Sequence, residues 1–577
     1  MNPSMPSAGA RSGAPSAAPT TPPAYDVALI GGGMVGALVA TVLARRGLRT
    51  VVLESRAEGV EQKWTVGEAL TEGTSVFLRH ELGMTDWLRD NAFRKFGFDF
   101  VVQPEGQRPA TLDECHEMLL SLVPLERIRG AGRRLVPTFH VERPPLNAHL
   151  RGLAVAAGAE YRYSSPVERV ELSEEAGEES PPTPHRVHCG DGTSVLAHWV
   201  LDTSGRRCVL GRQLGAHQPL HLQPAGDNLD TAAVWNRFDH VIDDPEVWKS
   251  FRGIDRRRQT VHASGPGFWI WWIHQNAGST SVGVTWDRTQ HSPDVKGEDR
   301  GFWEMIGKFP AIANLLAGAR AKEPFQYLAH LPYRSTHFVS PRRYALIGDA
   351  AWFVDALYSI GLETSCRMTV NVADLIVRSR ASTAGTPPPA KAEYDRLNDE
   401  FDHCCESVIE LNRFRYQHAW KDPQLVWQTS VFELGEIAEL YHFTRKQDWR
   451  PELLSRFYRL QWNSRARKER LEAFHRGALA SPRRPPRGLI KKGLIPGRLV
   501  YLATWLMWQV PAMMPLFFRL VRAWAYSERL ALRTPLWPDG LRLMAGPPPK
   551  KSLPIPALAE RMAGQAAASA HPSRAAV

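Results

Sequence analysis

The 577-residue sequence holds only six cysteines, at 115, 189, 208, 366, 404 and 405. None forms a CxxC, and the adjacent Cys404–Cys405 pair lacks the spacing of a metal site. This usage excludes a zinc module and a disulfide framework, and points to reduced thiols in a cytoplasmic protein. An RNA-binding aromatic motif and a helix-turn-helix pattern are also missing, so the formal charge of +11 is not read as nucleic-acid binding. Such an excess fits anionic lipid or acidic small molecules and cofactors. No internal repeat is present. The first 24 residues lack the apolar core of a secretory signal, and their Pro, Ser, Ala and Gly content reads as a disordered lead-in. Residues 546–577 read as a similar tail. One long uncharged run exists, LVYLATWLMWQVPAMMPLFF at 499–518, bracketed by Arg498 and Arg519. Its length could cross a bilayer. Two prolines, a glutamine and the flanking arginines equally fit a lid, a core helix or peripheral membrane contact.

What is present is apolar and aromatic: 43% hydrophobic residues and 19 tryptophans, on a chain long enough for two to four structural units. YDVALI from Tyr25 is an apolar strand, GGGMVG a turn, ALVATVLARRG a helix ending at Gly47, and LRTVVLE a second strand. That is a βαβ unit of a parallel sheet. Residues 101–340 are strand-rich, with VHCGDGTSVLAHWVLDTSG read as a hairpin feeding another strand. YALIGDAAW is read as strand, turn and helix. Beyond 399 the chain is mostly helical, and SRASTAGTPPPAKA at 379–392 is an exposed insertion. The expected class is α/β: a Rossmann-like dinucleotide-binding module over 25–398 with an interleaved β-rich substrate part at roughly 101–340. A helical C-terminal region follows at 399–545.

Within the βαβ unit, Gly31, Gly33 and Gly36 satisfy GxGxxG, with Met34 and Val35 opening the helix. Gly31 permits the tight turn, Gly33 lets a pyrophosphate approach the backbone, and Gly36 lets helix and strand lie close. The helix N-terminus offers N–H groups to phosphate. Glu54, at the end of the second strand, is placed to accept hydrogen bonds from a ribose diol. A GDA segment at Gly348–Asp349–Ala350 can hold a polyhydroxyl chain. Three hundred residues after the fingerprint, it resembles the second FAD-binding motif of the flavin monooxygenase superfamily, where the Asp meets the ribityl chain. FHVERPPLNAHL at 139–150 resembles the superfamily's helix-initiating segment, whose Arg, here Arg143, lies near the FAD. VLDTSGR at 200–206 resembles the strand after the middle domain. The resemblance implies FAD rather than NAD.

Three further segments resemble flavin-dependent halogenases, closer to those of phenolic and carrier-bound substrates than to tryptophan halogenases. They are VGEAL at 66–70, without the usual following proline; NAFRKFGFDF at 91–100, which places a lysine at Lys95; and Trp269-Ile270-Trp271-Trp272-Ile273, matching WxWxI with His274 in place of the final proline. As a strand, this stretch puts Trp269, Trp271 and Ile273 on one face and Phe268, Ile270 and Trp272 on the other. On its own it reads equally as an aromatic core strand. The resemblance makes it a barrier between flavin and substrate, past which a small oxidant travels. Lys95, desolvated among phenylalanines, would have a lowered pKa and would either hydrogen-bond hypohalous acid or form an adduct with it. The alternative is an ordinary surface lysine. Halide would sit near the N–H groups of Ile360 and Gly361, after Ser359. Where tryptophan halogenases carry a glutamate, this sequence has Tyr358, which argues against free tryptophan as substrate.

These features imply an FADH2- and O2-dependent halogenase acting on an electron-rich, bulky or carrier-bound aromatic. A separate flavin reductase is implied because no second dinucleotide fingerprint is present. An aromatic hydroxylase on the same fold, or a membrane-associated homologue without turnover, are the alternatives.

Overall fold

The computed structural model describes residues 24–60, 65–103, 106–121, 136–173, 183–224, 226–250, 254–381, 388–422, 425–426, 429 and 464–480. The segment 499–518, the tail 546–577 and nearly all of the N-terminal lead-in lie outside these residues. Among the described residues no helix is long and apolar enough to cross a membrane.

The expected βαβ unit is present. Strand Tyr25–Ile30, helix Met34–Arg45 and strand Thr50–Leu53 follow in order, and Val27 pairs in parallel with Thr50. All four residues of Thr50–Leu53 are buried, as a strand covered on both faces requires. The sheet runs Tyr344–Leu346, Ser194–Asp202, Tyr25–Ile30, Thr50–Leu53, Glu160–Arg162, all in parallel, with Val339–Ser340 antiparallel at one edge. The hairpin reading needs one refinement. Ser194–Asp202 is a single nine-residue strand whose first half pairs with His185–Cys189 and whose second half joins the parallel sheet.

A second sheet carries the tryptophan stretch. Strand Phe268–His274 lies between Thr260–Gly265 and Thr280–Asp287, and all seven of its residues are buried. Its two faces enter different cores. Trp269, Trp271 and Ile273 join the core shared with the parallel sheet, while Phe268, Ile270 and Trp272 join one under helices Glu298–Ile306 and Pro310–Leu315. The strand is thus a partition, with apolar packing on both sides.

The GDA turn departs from the expected strand–turn–helix. After Gly348–Ala350 the chain extends through Trp352–Phe353, which pairs with Tyr333–Ser335, and the helix begins only at Ile360. Pairing with that strand outweighs local helix propensity here. Helix Ile360–Ala381 and helix Lys391–Gln417 also trim the expected insertion from both ends, leaving 382–390 between them. Lys391–Gln417 packs on Ser464–Ala480, where His475 stacks on Phe414 at 3.9 Å and meets Glu410 at 3.0 Å.

Candidate cofactor and active site

The glycine turn is built for close approach. Gly31 sits at φ +98°, and a Cβ there would lie 2.9 Å from Ser204 Cα. A Cβ on Gly36 would stand 2.1 Å from the Gly31 carbonyl oxygen, so helix and turn touch as expected. Gly33 is the N-cap and supplies no side-chain cap, leaving first-turn N–H groups without an acceptor in the helix. Beyond that turn lies a cavity of about 590 Å³, lined among others by Gly31, Gly33, Met34, Val35, Glu54, Arg143 and Asp349. Trp269, Trp271, Ile273, Ser359 and Gly361 line it as well.

Glu54 occupies its expected place but is not idle. One oxygen accepts from Gly32 N at 2.9 Å and Arg56 Nη2 at 2.9 Å, the other from Arg56 N and Nε. Burial pushes the carboxyl up, yet the Arg56 and Gly32 hydrogen bonds prevail and hold it below its usual range. Arg143 is buried, and desolvation lowers its guanidinium to about 10 against the pull of Glu68 and Asp349. It donates to the Val66 carbonyl. That approach explains the glycine of VGEAL: Gly67 is at φ +98°, and a Cβ would stand 2.8 Å from Arg143 Nη1. Burial raises the Asp349 carboxyl, opposed by Arg206 and Arg143. A glycine cradle, open N–H groups, a cation and a carboxylate along one cavity fit a dinucleotide bearing a polyol.

The partition is pinned by hydrogen bonds. Trp269 Nε1 donates to the Tyr416 hydroxyl at 3.0 Å, which donates to Asp355 Oδ2 at 2.8 Å and lies 2.8 Å from Thr285 Oγ1. Burial raises the Asp355 carboxyl to about 6 despite these bonds. Trp271 lies flat against Gly283 on the adjacent strand, where a Cβ would come within 2.1 Å of the indole. Its Nε1 donates to Ser281 at 3.3 Å. His274, in the place of the motif's proline, accepts from Trp272 Nε1 at 3.0 Å.

Lys95 is not a surface lysine: it is 1% exposed, at the end of strand Phe93–Lys95. Its Nζ donates to Thr260 Oγ1 at 3.3 Å and sits 4.6 Å from the centre of the Phe98 ring. Desolvation lowers the amine to about 8, with half-buried Glu72 resisting the fall. Lys95 does not itself line the cavity, but Thr260 and His262 do.

The loop before helix Ile360–Ala381 is strained. Tyr358 and Ser359 are consecutive non-glycine residues at φ +63° and +56°, a conformation costing roughly 1 kcal/mol or more each. The Tyr358 hydroxyl accepts from Arg415 at 2.5 Å, and its ring meets Phe98 edge-on at 5.8 Å. Ser359 and Gly361 reach the cavity, whereas Tyr358 and Ile360 are not among its lining residues. No heavy atom lies within 4 Å of where a Gly361 Cβ would be, so that backbone borders open space.

Residues 24–216 match the FAD binding domain family. The chain is 26% identical over 369 residues to tetracycline 7-halogenase of Kitasatospora aureofaciens, covering 60% of this chain and 62% of that one. It is 25% identical over 365 residues to the 1H-pyrrole-2-carbonyl-[peptidyl-carrier protein] chlorinase of Pseudomonas fluorescens, covering 59% and 73%. The match thus spans less than two thirds of the length of the tetracycline enzyme. The crystal structure of halogenase PltM in complex with phloroglucinol and FAD superposes with a TM-score of 0.65 at 19% identity, over 90% of this chain and 98% of that one. The chain has the flavin-dependent halogenase fold, built on an FAD-binding domain. Within this halogenase-type fold the GxGxxG cradle belongs to the FAD-binding unit, and the tryptophan partition belongs to the second sheet.

Several residues at the site escaped sequence reasoning. Glu68 of VGEAL is buried, accepts from Arg237 and takes Gln275 Nε2 at 3.0 Å. Tyr416 and Asp355 brace the partition, and His140, Thr260 and His262 surround Lys95. FHVERPP already contained His140, and the strand before the tryptophan stretch contained Thr260 and His262 at spacing two. That spacing places both on one strand face, which was the available signal.

Proposed function

We propose that this protein is a two-component, FAD-dependent halogenase acting on an electron-rich aromatic, in which hypohalous acid made on one side of the tryptophan partition is delivered to Lys95. The observation that carries the reading is a lysine with 1% exposure, surrounded by apolar and aromatic groups, next to a cavity walled by Trp269, Trp271 and Ile273. Bound as FADH2, the cofactor supplies the oxidant with O2 and halide. Gly31, Gly33 and the first-turn N–H groups of Met34 and Val35 would hold its pyrophosphate, Glu54 its adenosine ribose, Asp349 its ribityl chain and Arg143 its flavin end. The chain's own residues do the rest. Trp269, Trp271 and Ile273, which wall the cavity beside Thr260, would hold an aromatic substrate away from the flavin, which disfavours direct oxygen transfer. The backbone at Gly361, which lines the cavity, and at the preceding Ile360 would offer N–H groups to halide. Lys95 directs the oxidant by a hydrogen bond whose strength rises in a dry pocket.

Tyr358 in place of a glutamate leaves no carboxylate at that position to take a ring proton, so the substrate is one already activated by a hydroxyl or pyrrole nitrogen. That class agrees with the phloroglucinol bound to PltM and the carrier-bound pyrrole of the Pseudomonas chlorinase. A flavin reductase is the partner in this reading. The test supplies FADH2, O2 and bromide with phloroglucinol as probe and identifies products by mass spectrometry. Brominated product supports halogenation. Hydroxylated product assigns the chain to the aromatic hydroxylases of the same fold.

A further inference from the structure

His140 is 1% exposed and stacks on Phe93 with ring centres 5.9 Å apart. Its Nδ1 lies 2.8 Å from the carbonyl oxygen of His274, and its Nε2 lies 2.9 Å from Thr260 Oγ1. A carbonyl oxygen only accepts, so Nδ1 must carry the hydrogen. Burial and the charge of Lys95 hold this imidazole well below its usual range, so it is neutral and has no second hydrogen. Nε2 is therefore an acceptor, and the Thr260 hydroxyl must donate to it. With its one hydrogen committed, the Thr260 oxygen can only accept, and its donor is Lys95 Nζ at 3.3 Å.

We propose that Thr260 and His140 are positioning residues for Lys95, forming a one-way hydrogen-bond chain that grips one N–H of its ammonium group and leaves the others to act as donors. For its catalytic consequence this rests on the halogenase reading; for the state of the amine it does not. The chain ends on a peptide carbonyl, which cannot take up a proton, so it orients rather than conducts. Proton transfer through Thr260 to His140 would create a buried imidazolium beside His262, itself held to about 3 by burial and by Lys95. The amine, at about 8, keeps its proton in preference to either histidine near neutral pH. In its protonated state Lys95 thus presents an oriented cationic hydrogen-bond donor. The titratable groups facing it are Glu72 from helix Glu72–His80, His140 and His262.

The test is the pH dependence of reductive methylation at Lys95 by formaldehyde and cyanoborohydride, quantified by peptide mass spectrometry, in the full chain. Wild type should titrate near 8. Thr260→Val replaces the accepting oxygen with a methyl of similar shape, and the midpoint should fall by about one pH unit as the ammonium loses its acceptor. Thr260→Ser keeps the hydroxyl and should restore it. His140→Phe releases the Thr260 hydroxyl to turn toward the amine, and should lower the midpoint in the same direction. This second variant carries the test if Thr260→Val does not fold. Midpoints unmoved in the folded variants would overturn the proposal. In parallel, brominated phloroglucinol per FADH2 oxidised should fall at least tenfold in Thr260→Val and recover in Thr260→Ser. Wild-type protein that brominates nothing, with the midpoints shifting as stated, would remove the halogenase reading and leave the hydrogen-bond chain standing.

Discussion

Burying a cation costs free energy, and Lys95 allows the cost to be measured. Its amine falls from 10.5 to about 8 on folding, chiefly through desolvation. At 1.36 kcal/mol per pH unit, the protonated lysine disfavours the folded state by about 3 kcal/mol at neutral pH. Lys95→Met fills similar volume without the charge but leaves Thr260 Oγ1 without its donor, a loss of about 1 kcal/mol. The variant should therefore be more stable than wild type by about 2 kcal/mol at pH 7. The sign depends on pH. Between 8 and 10.5 the unfolded chain binds more protons at this position than the folded one, so wild-type stability rises through that window. The variant's advantage should be constant below pH 8 and shrink as pH rises through the window. Above 10.5 it should reverse slightly, when only the lost hydrogen bond remains. Urea unfolding at pH 7, 9 and 10.5, followed by tryptophan fluorescence, reads this directly. A variant no more stable than wild type at pH 7, or an advantage that does not change with pH, would refute the reasoning that Lys95 is a desolvated cation kept against stability.

Other predictions concern the cradle and the partition. Gly36→Ala forces a methyl onto the Gly31 carbonyl at 2.1 Å; purified protein should lose its flavin absorbance, or accumulate insoluble, while Gly152→Ala, in a helix and with open space around it, should retain flavin. Gly283→Val should displace the Trp271 indole, seen as a changed near-ultraviolet circular dichroism spectrum, and lower halogenated product per FADH2 oxidised. Tyr416→Phe removes both the acceptor of Trp269 Nε1 and a donor to Asp355; it should destabilise the fold by roughly 1–3 kcal/mol and raise the Asp355 carboxyl above about 6, readable by carboxyl infrared bands.

Much of this architecture is legible in local sequence because local physics determines it. The GxGxxG turn needs backbone conformations and clearances that only glycine gives, so strand, turn and helix appear where YDVALI, GGGMVG and ALVATVLARR place them. Strict alternation assigns Trp269 and Trp271 to one face and Trp272 to the other, and two separate cores receive them. Burial of Lys95 follows from its phenylalanine neighbours. What is not legible depends on contacts distant in sequence. The helix after GDA starts at Ile360 because Trp352–Phe353 is drawn into pairing with Tyr333–Ser335. His140 reaches Thr260 across 120 positions, and Tyr416 reaches Trp269 across 147. A carboxylate at Glu54, at the end of the second strand, was expected, but the Arg56 fork on both its oxygens was not.

The most direct measurement of the central claim compares wild type with Lys95→Ala under FADH2, O2 and bromide, recording FADH2 oxidation and brominated phloroglucinol together. The account predicts that the variant still oxidises FADH2, because Lys95 does not itself line the cofactor cavity, and forms no brominated product. Bromination by the variant at the wild-type rate would contradict it.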